Sequence, residues 1–467
     1  MPRAMWHLWE ELNDEAPTYL VGGAVRDLLR QALPHDWDLA TKLPPDQVQR
    51  LAMQWGYRVI PTGVAFGTVT VLTDDGPVEV TTFRKDGRYV DGRHPQTVQF
   101  AETLEEDLSR RDFTINAMAL TPDGGLIDPW GGLEDLQASL LRAVGVPDER
   151  FQEDPLRMWR AVRQVGQLGV QLTEPVRQAI LRYRNLVQFV SVERQRDELM
   201  KGLGNPNVEG FLRAATHDTG LLFVLWPEFL AAQGFDQYNR WHTKDVLEHL
   251  IATAVTGSPP VLRLTGLLHD IAKPACFWRG PDGQGHFYGH DTLGARYAEA
   301  MLRRLAFDKA TVHYVMHLIA QHMFPWDEAG TKALRRMVRE QGEATVQDLL
   351  ELRRMDVIGS GRCWANEAEV RAKVSRLLEE VPEEHRRLAI SGHAVMEIWG
   401  IPPGPKVGEI LQHAQALVDE DPEWNQRDRL VERLRVWREQ VETAEATTGR
   451  IGKEARDVPD VPASDRA

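Results

Sequence analysis

Asp36 and Asp38 are separated by a single residue, Trp37. Side chains on a β-strand alternate between faces, so residues two apart leave the same face and their carboxylates can share metal ions. Oxygen ligands suit magnesium, and a pair of such ions can activate an attacking hydroxyl while neutralising a leaving pyrophosphate. Just upstream, Gly22 and Gly23 in GGAVRD (22–27) carry no side chain to keep a triphosphate from the backbone N–H groups, at a point where Val25 to Leu29 would form a helix. Arg26 adds a charged fork. A capped surface helix and a solvated acidic pair would look the same piece by piece; the two together, in this order, are more specific.

A second constellation is EDPLR (153–157). Asp154 and Arg157 are three apart on an expected helix and so share a face, while Glu153, four before Arg157, is placed to form an ion pair that holds the guanidinium still. A fixed acceptor beside a fixed donor matches cytosine (N4 amino, N3) and adenine (N6 amino, N1), whereas uracil and guanine present the reverse pattern. Histidines make the third feature. Eight of the fifteen lie between residues 242 and 322, in helix-forming sequence.

These residues need elements to hold them. To about residue 145 the chain mixes period-2 and helical runs, and VAFGTVTVL, TDDGP and VEVTTFR read as a hairpin whose second strand carries Glu79. From 146 to 230 the pattern is helical, and residues 150–213 hold eleven Arg or Lys against seven Asp or Glu. Arg182, Arg184, Arg194, Arg196 and Lys201 could therefore track RNA phosphates, although solvated helix faces look alike. The fold class expected is α+β: an N-terminal domain with a small mixed sheet and helices, then all-α regions. The boundaries read as 1–145, 146–230, 231–370 and 371–440, with a disordered tail at 441–467. GIPPGPKVG (400–408) reads as a turn before a helix.

Composition narrows the class. With 467 residues, 42% of them hydrophobic and 27% charged, the chain is long enough for about three globular domains. Cys276 and Cys363 are too few for a disulfide framework, which fits a reducing compartment, the cytoplasm by default. MPRAMWHLWEEL meets acidic residues before an apolar run could act as a signal peptide, and no stretch approaches a membrane span. A net charge of -14 argues against indiscriminate nucleic-acid binding, so any RNA contact must be local.

GGAVRD, DWD (36–38), RRDFTINAMA (110–119), EDPLR and ERQRDEL (193–199), in this order, resemble the class II branch of CCA-adding tRNA nucleotidyltransferases and bacterial poly(A) polymerases. The resemblance implies catalytic magnesium on Asp36 and Asp38, with Glu79 as a third carboxylate. It also implies that Gly22, Gly23, Arg26, Arg111, Asp112, Asn116, Asp154, Arg157 and Arg160 bind the incoming CTP or ATP, and that the primer is tRNA. Residues 83–107 match in extent a flexible loop of members that add the terminal A, which favours CCA or A addition over CC addition. A poly(A) polymerase is the rival within the class.

HTKDVLEHLIATA (242–254), LLHDIAK (267–273), FYGHDTLGA (287–295), LIAQHM (318–323) and RRMDVIG (353–359) resemble the HD superfamily of metal-dependent phosphohydrolases. The implied ligands are His249, His269, Asp270 and Asp356, with His290 and His322 for a second ion; His242, His313 and His317 fall off the motif. Nitrogen and carboxylate donors suit a transition metal such as Ni2+, Co2+ or Mn2+ better than magnesium. The substrate implied is a phosphomonoester or cyclic phosphate. A degenerate helical domain retained for RNA binding is the alternative, and a phosphohydrolase with an RNA-binding head is the rival from another class.

Overall fold

The computed structural model describes every residue except 1, 62, 64–66, 87–97, 239–243, 381–387 and 455–467; for residues 86, 98, 380 and 441–454 it describes the backbone alone. The chain forms two compact units, Met1–His322 with Met355–Cys363, and Met323–Arg354 with Trp364–Ala467. All the candidate site residues lie in the first. Among the described residues no helix is long and apolar enough to cross a membrane.

A seven-stranded mixed sheet fills the N-terminal part of the first unit. Its strands are β1 (Thr18–Val21), β2 (Trp37–Thr41), β3 (Arg58–Ile60), β4 (Thr68–Thr73), β5 (Gly76–Thr82), β8 (Ala119–Leu120) and β9 (Leu126–Ile127), in the order β3-β4-β5-β2-β1-β8-β9. The expected hairpin is β4–β5, closed at Thr73↔Gly76 around Asp74 and Asp75. Leu20, Leu39, Val69, Val71, Val78 and Val80 pack with Met5, Leu8, Trp9 and Leu12 of the helix Arg3–Glu15. Strand alternation then turns Asp38 and Glu79 away from this core. The 83–107 stretch begins and ends in a short antiparallel ladder, β6 (Arg84–Asp86) with β7 (Val98–Phe100). Its centre, 87–97, lies outside the described residues.

Beyond the sheet the chain is helical, as its 3.6-residue periodicity requires. One expectation needs correction. EDPLR is not on a single helix: one helix ends at Glu153, Asp154 is extended at φ -137°, ψ 99°, and the next helix starts at Leu156. Pro155 explains the break, because its ring disfavours the helical conformation in the residue before it. Asp154 Oδ1 accepts from the Leu156 N–H at 3.0 Å, so the carboxylate satisfies the first N–H of the new helix from just outside it. Within the helical part there is also a small antiparallel hairpin, Trp278–Arg279 with Gly285–His286. The last helix, Arg427–Glu454, reaches into the segment whose composition reads as an irregular tail.

Candidate active site and metal centre

Asp38 lies directly opposite Glu79 across the parallel β2–β5 pair and opposite Val21 on β1. Asp36 stands just before β2 and is exposed. The Asp38 carboxyl is pushed up to about 6, by burial first and by Glu79 and Asp36 as well, against the pull of Arg111. Three carboxylates crowded at one strand end, one of them poorly solvated, make an all-oxygen donor set that a hard divalent cation would relieve.

Gly22 ends β1 and starts the helix Gly23–Leu29 with φ 74° and ψ -140°. A Cβ there would lie 3.1 Å from Arg111 Nη1 and 3.4 Å from Asp38 Oδ2. The glycine read as an opening for phosphate thus also makes room for two site side chains. Gly22→Ala is expected to cost about 1–3 kcal/mol of stability through its backbone alone. It should lower nucleotide turnover further by displacing Arg111 and Asp38; chemical unfolding alongside steady-state kinetics separates the two effects.

The remaining head residues form a hydrogen-bonded chain across three motifs. Arg26 Nη1 donates to Asn116 Oδ1 at 2.8 Å, Asn116 Nδ2 donates to Asp112 Oδ1 at 3.1 Å, and Arg160 Nε donates to Asp112 Oδ2 at 2.7 Å. Burial alone would raise the Asp112 carboxyl, but Arg160 and Arg157, with donors on Asn116 and Phe113, hold it at about 2. Asp112 is therefore a buried anion that organises its neighbours. Asp107, which sequence reasoning missed, does the same for Arg111, accepting from Nη2 at 3.2 Å and pairing also with Arg110. The i,i+3 and i,i+4 spacing of Asp107 to Arg110 and Arg111 was the available signal.

On the helical side Arg157 Nη1 donates to Glu153 at 3.0 Å, the ion pair the spacing implied. Its Nη2 donates to the Arg110 carbonyl at 2.9 Å. Asp154 Oδ2 accepts from Arg194 at 3.2 Å. Arg194 thus steadies Asp154 instead of standing free for phosphate. Arg184 and Arg196 hold the carbonyls of Thr219 and Ala306, Arg182 pairs with Asp148, and Lys201 is exposed. A cleft of about 600 Å3 is lined by all the head and EDPLR candidates, and Arg84, Arg110 and Arg163 join them. So many guanidinium groups facing three carboxylates suit a triphosphate carried with divalent cations.

The histidines converge elsewhere in the first unit. His249 lies on the helix Val246–Thr256, His269 and Asp270 follow Pro260–Leu268, His290 opens His290–Arg304, His322 follows Lys309–Gln321, and Asp356 sits in the last turns of Glu343–Gly359. His249, His269, Asp270 and Asp356 offer donors close enough for one ion, and Asp270, His290 and His322 for another. Asp270 belongs to both groups. His249 Nε2 is 3.1 Å from Asp270 Oδ2 and 3.3 Å from Asp356 Oδ1, and His290 Nε2 is 3.2 Å from Asp270 Oδ1. The Nδ1 atoms of His269, His290 and His322 lie 2.8, 2.6 and 2.6 Å from the carbonyls of Gly266, Phe287 and Ile319, which fixes the tautomer and aims each Nε2 inward.

Burial opposes charge on His269, yet Asp270 and Asp356 hold it up to about 10. Both carboxylates are held well below the usual range despite burial, so the cavity favours positive charge. Asp270 Oδ1 and His290 Nε2 are buried and, although 3.2 Å apart, make no hydrogen bond, as two ligands turned towards a shared ion would. The mixed nitrogen and oxygen donors fit a first-row transition ion. Lys273, missed by sequence reasoning although it closes LLHDIAK, is buried 2.6 Å from Asp270 Oδ2 and donates to Gln237 at 2.8 Å. His313 and His317 stack on each other and join neither group, and His242 lies outside the described residues.

Residues 18–142 match the family described as the poly A polymerase head domain, residues 169–233 the probable RNA and SrmB-binding site of polymerase A, and residues 242–359 the HD domain. The CCA-adding enzymes of Anoxybacillus flavithermus and Bacillus subtilis are each 49% identical, over 210 and 183 residues, or 45% and 39% of this chain and 51% and 45% of theirs. The chain spans about half the length of the curated relatives it matches. The crystal structure of the Bacillus stearothermophilus CCA-adding enzyme in complex with CTP is similar over 94% of this chain and 98% of that one, with a TM-score of 0.68 and 27% identity. The Thermotoga maritima CCA-adding enzyme complexed with tRNA-CCA shares the fold, with a TM-score of 0.57 and 19% identity over 92% and 94% of the chains. Head and HD domains both imply use of divalent metal. Three carboxylates thus line the cleft of the segment that matches the poly A polymerase head domain, and a histidine–aspartate cluster lies in the segment that matches the HD domain, in a chain similar to CCA-adding enzymes.

Proposed function

We propose that the protein is a cytoplasmic, template-independent nucleotidyltransferase that adds CCA, or its terminal A, to the tRNA 3′ end from CTP and ATP. The observation that carries this reading is one cleft holding the Asp36–Asp38–Glu79 carboxylates and the Asp154–Arg157 pair together. Its similarity to a CCA-adding enzyme crystallised with CTP supports it. Asp36, Asp38 and Glu79 would hold Mg2+, which supplies activation of the 3′-hydroxyl and neutralises charge on the pyrophosphate. Arg111, held by Asp107, and Arg26, held by Asn116, offer fixed guanidinium groups to the triphosphate. Asp154 and Arg157 read the base edge. Residues 1–145 would serve as the catalytic head and 146–230 as the selecting and RNA-binding neck. Purified protein tested on tRNA lacking CCA, lacking A, or intact, with each nucleotide, distinguishes CCA addition from A addition; long A tails on any RNA would instead establish the poly(A) polymerase.

Base choice gives a sharper test. Asp154 Oδ2 accepts from Arg194 and its other oxygen from Leu156, so the carboxylate is held before a base arrives. Asp154→Ala removes the acceptor for the exocyclic amino group and leaves the catalytic carboxylates untouched. Activity should fall without vanishing, and discrimination against UTP and GTP should drop by about 1–3 kcal/mol. Glu153→Ala should lower efficiency for both correct nucleotides while changing discrimination less. Four-nucleotide competition on tRNA ending before CCA measures both; an Asp154→Ala enzyme as strict as wild type would place the reading elsewhere.

A second reading concerns the HD domain, residues 231–370 at its widest. The paired His/Asp groups sharing Asp270 support metal-dependent hydrolysis of a phosphomonoester or cyclic phosphate, with Ni2+, Co2+ or Mn2+ as the fitting ions.

A further inference from the structure

Beside the histidine–aspartate centre, the hairpin Trp278–Arg279/Gly285–His286 carries three aromatic rings on one face. Trp278 pairs across the hairpin with His286, with ring centroids 5.3 Å apart, and His286 stacks on Tyr288 at 5.5 Å with an interplanar angle of 8°. Tyr288 lies in the turn after the strand, and its stacking on His286 places the two rings on one side. The rings are nevertheless open: Trp278 is 52% exposed and Tyr288 77%. Two large aromatics are therefore arranged in a ladder without being used to fill the core.

The opposite side of the hairpin is tied to the metal centre. Phe287, between His286 and Tyr288, lies with its ring 5.5 Å from Lys273 Nζ, and its carbonyl meets the Nδ1 of His290. Gly285 donates to the Tyr238 carbonyl, and a Cβ on it would sit 2.2 Å from the Gln237 carbonyl oxygen, so the hairpin is pressed against the segment that also receives Lys273. Tyr288 is two residues from the candidate ligand His290, a chain distance of at most about 7 Å. Arg279, exposed and 4.8 Å over the Tyr238 ring, adds a cation on the same hairpin. Exposed rings in series with a nearby cation are what single-stranded nucleic acid uses, because every base has a face to stack and a phosphate to neutralise. A match to an RNA-binding family in the same compact unit says which polymer is at hand.

We infer that Trp278, His286 and Tyr288 form a stacking platform for an unpaired base at an RNA 3′ end, seating its terminal phosphate at the histidine–aspartate centre. This rests on the reading of that centre as a phosphohydrolase. The platform gives the site a preference for nucleotide phosphates over phosphates of the same charge that carry no base.

The test uses full-length protein with Mn2+ and saturating CTP to occupy the head cleft. The probe is a five-nucleotide RNA with 2-aminopurine at its 3′-phosphorylated end, whose fluorescence is quenched by stacking. Wild type should quench it; Trp278→Ala with Tyr288→Ala should weaken binding roughly ten-fold or more, and Trp278→Phe with Tyr288→Phe should restore it. In parallel, the alanine variant should raise KM for the RNA phosphate with kcat unchanged and leave glycerol 2-phosphate hydrolysis as it was. Nucleotide incorporation at the head reports that the variant is folded. Absent quenching in wild type, or undiminished quenching in the alanine variant, overturns the platform and leaves the rings to a protein partner. Quenching that behaves as expected in a protein that hydrolyses neither phosphate upholds the platform and removes the phosphohydrolase reading instead.

Discussion

Asp36→Ala with Asp38→Ala should incorporate no measurable nucleotide into tRNA, a loss of at least about 10^3-fold, or roughly 4 kcal/mol of transition-state stabilisation. Glu79 alone cannot replace two of three carboxylates at the strand end, because one monodentate oxygen does not hold two cations against water. The change should not unfold the protein. Asp38 is poorly solvated and crowded by Glu79 and Asp36, so its removal relieves repulsion as well as losing its attraction to Arg111. Arg111 keeps Asp107 as its partner. Thermal unfolding of the variant should therefore occur at or above the wild-type temperature, the usual relation between a strained site and stability. Any phosphohydrolysis at the histidine centre should continue, since the two clusters share no residue. Loss of both activities in a protein that still unfolds cooperatively would defeat this separation.

Spacing made Asp36, Asp38, Glu153, Asp154 and Arg157 readable as candidates, whereas Glu79, Arg111, Asp112, Asn116 and Arg160 came from the resemblance of the motifs. The turn between apolar alternations made the β4–β5 hairpin readable, and the structure sets Glu79 of its second strand opposite Asp38. The Glu153–Arg157 ion pair was legible from i,i+4 spacing, which survived the break at Pro155 because Glu153 ends one helix and Arg157 lies in the first turn of the next. Spacing said nothing of Arg194 on Asp154, forty residues away in sequence, or of Arg26 meeting Asn116 ninety residues on. Those contacts depend on how segments distant in sequence pack together, Arg194 with Asp154 inside the helical part and Arg26 with Asn116 beside the sheet. The same limit applied to basic residues: a count of positive charge in 150–213 could not say that Arg184 and Arg196 are occupied with backbone carbonyls. In the HD domain, adjacent His269 and Asp270 were readable from the motif. That Asp270 joins both ligand groups follows only from five helices meeting around it.

The converse variant, His269→Ala with Asp270→Ala, should abolish any transition-metal-stimulated phosphohydrolysis while sparing nucleotide incorporation. Asp270 offers one oxygen to each ligand group, so removing it damages both at once, and losing His269 leaves the first group with only His249 and Asp356. Bound Mn2+ or Ni2+ after gel filtration should fall from wild-type stoichiometry to near zero, a readout independent of any substrate. Stability needs its own control. Lys273 is buried 2.6 Å from Asp270, and deleting one partner of a buried ion pair costs about 3–5 kcal/mol. Asp270→Asn keeps the shape and a carbonyl acceptor for Lys273 while removing the charge that both ion positions need, so it should lose metal with a smaller stability cost. His290→Ala with His322→Ala should empty the second group alone, leaving the first near full occupancy. The expected order of retained metal is therefore wild type, then the His290/His322 variant, then Asp270→Asn, then the His269/Asp270 double variant. A wild-type protein that binds no transition metal, or an Asp270→Asn protein that binds as much as wild type, would show the histidine cluster to be a packed core feature of an RNA-binding helical domain.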